Sequence, residues 1–342
     1  MAVTQCVLWL GLLFASTHIA FALALQAKGA TYFVALDGRD TNPGTRADPF
    51  RTIQHALDQV APGDTIFVRG GAYHEALHIH SSGEPNRLIT IAAYQDEHVL
   101  IDGEYHLPVV PASGWARCNA AVSPPTCFHW APLVRISGSF ILLDGFEIAH
   151  SLGRGLTVAP VDGRPTHITI RNTQLHDNRN AGALFIQADY VTFEANTVWH
   201  SGDYATHDRS ASDLNWPVAV SGRDTRHIVY RDNRIFNNWT EGLSTGMNST
   251  HVVVENNEIY DNYALQLYIQ RSADVVVQRN LIYCTGDRGF YRGGQVSPGI
   301  ILNNEHQPAD ALSVDTVTIL NNVVIGCGQN LGIWGGAYRK TT

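Results

Sequence analysis

From about residue 133 to the end, the chain repeats one short unit. An apolar residue recurs at Ile148, Leu175, Val198, Ile235, Ile259, Ile282 and Val324, with spacings of 27, 23, 37, 24, 23 and 42 residues. Two residues before it stand Phe146, Thr173, Asn196, Asn233, Asn257, Asn280 and Asn322. The units also carry short β-branched, period-two runs such as His251–Val254 and Asp274–Val277, too short for helices. No single unit could bury its own apolar face, so successive units must stack. A spacing near 23 residues suffices for three strands and three turns, and the longer spacings are coils with loop insertions. The chain is therefore expected to be all-β, a right-handed parallel β-helix in which each coil hydrogen-bonds to the next. A leucine-rich horseshoe is the competing solenoid, but its leucine framework is missing.

Within this scheme the repeated asparagine has two possible tasks. It tolerates a left-handed turn conformation, and its amide can bond up the stack as a ladder. The position after each apolar residue reads Trp199, Phe236, Tyr260 and Tyr283, expected as an aromatic stack filling the coil. The position after that reads His150, Asp177, His200, Asn237, Asp261 and Cys284, a polar turn column.

Ahead of the repeat lies a different pattern. Val7–Leu25 is apolar and passes through Ala22-Leu23-Ala24, a small-x-small ending that suits signal cleavage. Residues 1–24 are expected to be a signal peptide, leaving no stable membrane span and placing the protein outside the cell or in a periplasm. Residues 25–103 then form an amino-terminal cap with the first coils, 104–132 a loop insertion, and 133–342 the repeated coils. The segments TYFVALDGRDTNPGTRADPFRTIQHALDQVAPGDTIFVRGGAYHE (31–75), LITIAAY (88–94) and VLIDG (99–103) contain one short helix, Thr52–Val60, and a strand, Thr65–Val68. This stretch resembles the amino-terminal module that often opens pectate-lyase-like β-helices. With the coils that follow, the resemblance covers nearly the whole mature chain. It implies an extracellular protein acting on an acidic polysaccharide, while the superfamily includes lyases, hydrolases, epimerases and surface proteins.

Export makes the cysteines legible. Cys118 and Cys127 share one proline-rich loop and are expected to be bonded in an oxidising compartment. Cys284 and Cys327 fall near the same turn of successive units and either pair or remain buried thiols.

Charge narrows the chemistry. A net charge of −8 disfavours a nucleic-acid partner, which needs a basic face. Of 23 basic residues only Lys28 and Lys340 are lysines. Lyases of the resembled family remove a proton beside a uronate carboxylate with Lys or Arg, often aided by calcium. With no lysine between residues 29 and 339, the base would be Arg or His. Residues 201–216 and 285–298 insert at the same turn three coils apart, and should flank a groove. Alternation places Leu265, Leu267 and Ile269 inside and Gln266, Tyr268 and Gln270 on that groove. Glu241, Arg209, His207 and Arg271 are the candidate catalytic groups. Gln266, Tyr268, Gln270 and Trp216 are the candidate substrate contacts, with Trp239 a further aromatic. Asp203, Asp208 and Asp213 are the candidate ligands for calcium. The leading reading is a monomeric polysaccharide lyase. A glycan-binding module without activity, and a hydrolase or epimerase, are the alternatives.

Overall fold

The computed structural model describes residues 29–95, 97–107, 131–202, 217–305 and 313–335. Among the described residues, short strands wind into three sheets, and every strand pairing among them is parallel. Sheet A has ten strands, including Thr166–Arg171, Asp189–Glu194, Arg226–Arg231, Thr250–Glu255 and Ala273–Gln278. Sheet B has nine three- or four-residue strands, such as Gln174–His176, Thr197–Trp199 and Arg234–Phe236. Sheet C has nine, among them Arg154–Val158, Val218–Arg223, Glu241–Ser244, Leu267–Gln270 and Ile300–Asn303. Each coil runs A to B to C, the right-handed parallel β-helix expected from the repeat.

The interior is one apolar column. The repeated positions Ile148, Leu175, Val198, Ile235, Ile259 and Ile282 are all fully buried in it. Burying each such side chain contributes about 1.5–3 kcal/mol. At the amino-terminal end Ile53, Ala56, Leu57 and Val60 join the same core. The helix that carries them is shorter than expected, Ile53–Leu57, with Thr52 as its N-cap. The Glu75 carboxylate accepts from the Ile53 and Gln54 backbone N–H groups at 2.9 and 3.0 Å, stopping two orphan donors of the first turn. Among the described residues no helix is long and apolar enough to cross a membrane.

The asparagine ladder is present and does one of its two expected tasks. Nδ2 of Asn196, Asn233, Asn257 and Asn280 each donates to Oδ1 of the next ladder asparagine, at 3.2, 2.9, 2.9 and 2.8 Å. The left-handed conformation belongs instead to the residue just before, Asn172, Ala195, Asp232, Asn256, Arg279 and Asn321. The A-to-B corner thus divides its labour, one residue reversing the chain and the next satisfying it.

A second correction concerns the aromatic stack. Its rings lie on the outer face of sheet B, because the alternating neighbour (Val198, Ile235, Ile259, Ile282) already fills the interior. His176, Trp199, Phe236, Tyr260 and Tyr283 stack nearly parallel, with centroids 4.1, 6.1, 4.9 and 4.5 Å apart. Inside the stack each ring face is covered by its neighbour, so the column presents edges to solvent. The next position is left-handed at His150, Asp177, His200, Asn237 and Asp261, which suits Asn, Asp and His at this B-to-C corner.

Cys284 and Cys327 are bonded, with Cα atoms 4.9 Å apart. Cys118 and Cys127 lie outside the described residues, as do residues 1–24.

Candidate functional site

The outer face of sheet C is the surface on which the expected groove residues can be judged. Pairing aligns Arg135, Thr157, Leu184, Ser221, Ser244, Tyr268 and Ile301 in one outward column. Residues 285–298 enter at the B-to-C corner, and Phe290 from that insertion stacks on Trp239 with centroids 4.7 Å apart. Trp239 is thereby committed to packing. The facing insertion holds Asp203, His207, Asp208, Arg209, Asp213 and Trp216, and all six lie outside the described residues.

Four expected residues, Tyr268, Gln270, Glu241 and Arg271, do converge here. The Tyr268 hydroxyl donates to Glu305 Oε1 at 2.7 Å and accepts from Asn303 Nδ2 at 2.7 Å. Gln270 Nε2 donates to the other oxygen of Glu305 at 2.8 Å. Burial first, then the bond to Glu305, pushes the Tyr268 phenol far up, so it acts as a donor and not as a base. Glu241 opens its strand opposite Val218, is 9% exposed, and its charge acts on both Tyr268 and Arg223. Arg271 follows Gln270 in a left-handed conformation and is 6% exposed. Its Nη2 reaches Asn248 Oδ1 at 3.5 Å, while Nε and Nη1 find no partner among the described residues.

Gln266 is a correction. It is fully buried and ends a second amide ladder running Asn238, Asn262, Gln266. Asn262 Nδ2 donates to Gln266 Oε1 at 2.9 Å, and Gln266 Nε2 donates to the Asn262 carbonyl at 3.2 Å. The corner before Leu267 shifts the alternation, so Leu265 lies outward against Tyr268 and Ile301, and Gln266 lies inward. Asn238 sits in the same ladder at 0% exposure, so the glycosylation-type triplet Asn238-Trp239-Thr240 does not present its asparagine at the surface.

The sequence reading missed the arginines around this cluster. Arg135, Arg154 and Arg223 stand on strands of the same sheet. Burial lowers the pKa of all three, and of Arg271. Arg154, 7% exposed, is brought to about 9 by burial and by the charge of Arg223. From Arg154 to Arg271 is four coils, about 19 Å at the strand spacing of ~4.8 Å. A signal existed for Arg223, one alternation step after Ser221 on one strand. None existed for Glu305, which lies beyond its strand and meets Tyr268 only through the stacking of coils.

Calcium takes six to eight oxygen ligands. Among the described groove residues only Glu241 and Glu305 are carboxylates, and Glu305 is already held by Tyr268 and Gln270. These residues do not form a calcium cage.

With the geometry in place, comparison with known proteins identifies close architectural relatives. Residues 32–215 match the family model described as Pel9A-like, right handed beta helix region, and residues 213–340 match a general right handed beta helix region. Pectate lyase PEL9 of Emericella nidulans is 38% identical over 99 residues, covering 28% of this chain and 24% of that protein. Pectate lyase L of Paenibacillus polymyxa is 29% identical over 171 residues, covering 49% of this chain and 32% of that one. The matches thus span a third or less of either relative. The crystal structure of pectate lyase Pel9A superposes with a TM-score of 0.58 at 16% identity, over 87% of this chain and 79% of that one. An alginate lyase from a Paenibacillus species superposes at 0.56 and 12% identity, over 84% and 96%. At these identities the structural likeness speaks for the fold alone.

Proposed function

Since the chain belongs to the Pel9A-like right-handed β-helix family, we propose that the outer face of sheet C binds an acidic polysaccharide and cleaves it by β-elimination beside a uronate. The observation that carries this reading is the row of sunken arginines, Arg135, Arg154, Arg223 and Arg271, on one exposed sheet. Guanidinium groups pair with carboxylates in fork geometry, and a half-buried site strengthens each pair. Arg223 and Arg271 are the groups for neutralising a uronate carboxylate, which acidifies the adjacent C–H. Arg154, four coils from Arg271, takes a carboxylate farther along the glycan chain. Tyr268, kept protonated, supplies a proton or a hydrogen bond toward the departing oxygen. His207 or Arg209, on the insertion 201–216, is the base in this reading. The chain is exported in this proposal, with residues 1–24 removed.

The test is a screen on pectate, alginate and glycosaminoglycans, following ultraviolet absorbance of the unsaturated product, with calcium and with a chelator. Activity that needs calcium would assign the ion to Asp203, Asp208 and Asp213. Glu241→Gln and Arg209→Ala should each lower turnover by about 10²-fold or more. New reducing ends without unsaturation would replace the lyase reading with hydrolysis. Binding of an acidic glycan without any product would leave a recognition module.

A further inference from the structure

Away from the groove, the densest set of ligand-type side chains sits on the outer face of sheet B and its corner into sheet C. His150, His176 and Asp177 each bring a ligand atom there, and these atoms lie within 4.8 Å of one another. We infer that these three residues form a site for one divalent transition-metal ion, zinc by the donor set. Two imidazoles and a carboxylate suit zinc, whereas calcium and magnesium favour oxygen alone.

The surrounding carboxylates make the case stronger than the cluster itself. His150 Nδ1 is bonded to Asp102 Oδ1 at 2.9 Å, which leaves its Nε2 available. His176 Nε2 is bonded to Glu147 Oε1 at 3.1 Å, which leaves its Nδ1 beside Asp177 Oδ2 at 2.7 Å. Asp102 thus orients His150, and Glu147 orients His176; an ion would take the place of the proton that His176 Nδ1 shares with Asp177. The three carboxylates Asp102, Glu147 and Asp177 around two imidazoles create a field that favours a cation. His98 also reaches Glu147, and His200 from the following coil lies 3.6 Å from Asp177 Oδ1, within reach as a fourth ligand.

The geometry is attainable. Ligands at ~2.0–2.1 Å in a tetrahedron stand about 3.3 Å apart, so the widest pair must close by roughly 1.5 Å. His150 and Asp177 hold equivalent corner positions one coil apart, at φ 55° and 50°. Their side chains are 34% and 35% exposed, which leaves room for rotation. An ion here would tie two successive coils together at a corner that has no ladder asparagine of the first kind. The competing account is a metal-free cluster in which His176, protonated, pairs with Glu147 and Asp177.

The untagged full chain, stripped with a chelator and dialysed, would be titrated with zinc chloride near neutral pH by calorimetry. One equivalent should bind with micromolar or tighter affinity and raise the melting temperature. His150→Asn and Asp177→Asn keep a residue that tolerates the left-handed corner, and each should weaken binding at least tenfold. Asp102→Asn should weaken it by about 10- to 100-fold, acting through His150. His80→Asn, outside the cluster, should change nothing. Cobalt(II) titration of the parent protein gives a readout independent of the variants, and an intense tetrahedral nitrogen–oxygen spectrum is expected. No saturable zinc binding by the parent, an octahedral cobalt spectrum, or cluster variants that bind as the parent does would each overturn the proposal.

Discussion

Sheets A and C are built from the same coils, yet they treat arginine in opposite ways. On the outer face of sheet A three arginines at the carboxyl ends of strands each meet a carboxylate from the preceding coil. Arg171 bonds Asp144 at 2.8 Å, Arg231 Nε bonds Glu194 at 2.7 Å, and Arg279 bonds Glu255 at 2.6 Å. These bonds raise the pKa of Arg171 and Arg231. On sheet C, Arg135, Arg154, Arg223 and Arg271 are sunk among their neighbours and their pKa values fall. A solenoid can cancel charge coil by coil at negligible cost, as sheet A does. Where positive charge is instead drawn into the sheet, the proposed surface suits an anion that arrives from outside.

The sharpest way to break this contrast is to remove a sheet C arginine. Arg154→Gln should raise the KM on the degraded polysaccharide by about 10²-fold, or roughly 3 kcal/mol, as a charge-assisted pair with the glycan is lost. A KM equal to the parent's would remove Arg154 from the binding face.

The next effect concerns the wall of the groove. The Cys284–Cys327 bond spans a sequence separation of 43 at the corner from which residues 285–298 emerge. Replacing both cysteines with serine should cost about 2–4 kcal/mol in denaturant unfolding. It should also weaken glycan affinity, while sheet A ion pairs are untouched. Unchanged unfolding would mean that the corner holds without its cross-link.

Smaller again is the loss of one ladder amide. Asn257→Ala strips Asn233 of the acceptor for both its backbone N–H and its Nδ2, at 3.0 and 2.9 Å. Buried donors left unmet should cost about 1–3 kcal/mol by urea or thermal unfolding. The smallest effect belongs to the surface that completes the comparison. Arg231→Ala on sheet A should change stability by less than about 1 kcal/mol and leave turnover alone. If it raised the KM as Arg154→Gln does, the distinction between the two faces would collapse.

How much of this was legible beforehand differs from element to element. The coil, the ladder Asn196–Asn322 and the interior positions follow from spacing, because a 23-residue unit with β-branched runs has few other ways to satisfy its backbone. The groove is an expectation drawn from two insertions at one corner, and the first of them, 203–216, lies outside the described residues. Alternation along one strand puts Tyr268 and Gln270 outward, while Glu241 and Arg271 stand out as residues that begin and directly follow strands. Gln266 and Leu265 were misassigned by the same counting, because a corner breaks period two and the sequence does not mark where the break falls. The aromatic column was seen as a column but placed on the wrong side of its sheet.

What the sequence by itself determined was therefore periodic: the fold, the turn chemistry and the absence of lysine from the coils. Only the tertiary structure decided which side chains from different coils meet. Glu305 beneath Tyr268 and Asp102 behind His150 are separated by 37 and 48 residues along the chain. Local spacing carries no record of such meetings. They depend on how many residues each inserted loop consumes before the chain returns to the stack, and that number is set by packing in three dimensions.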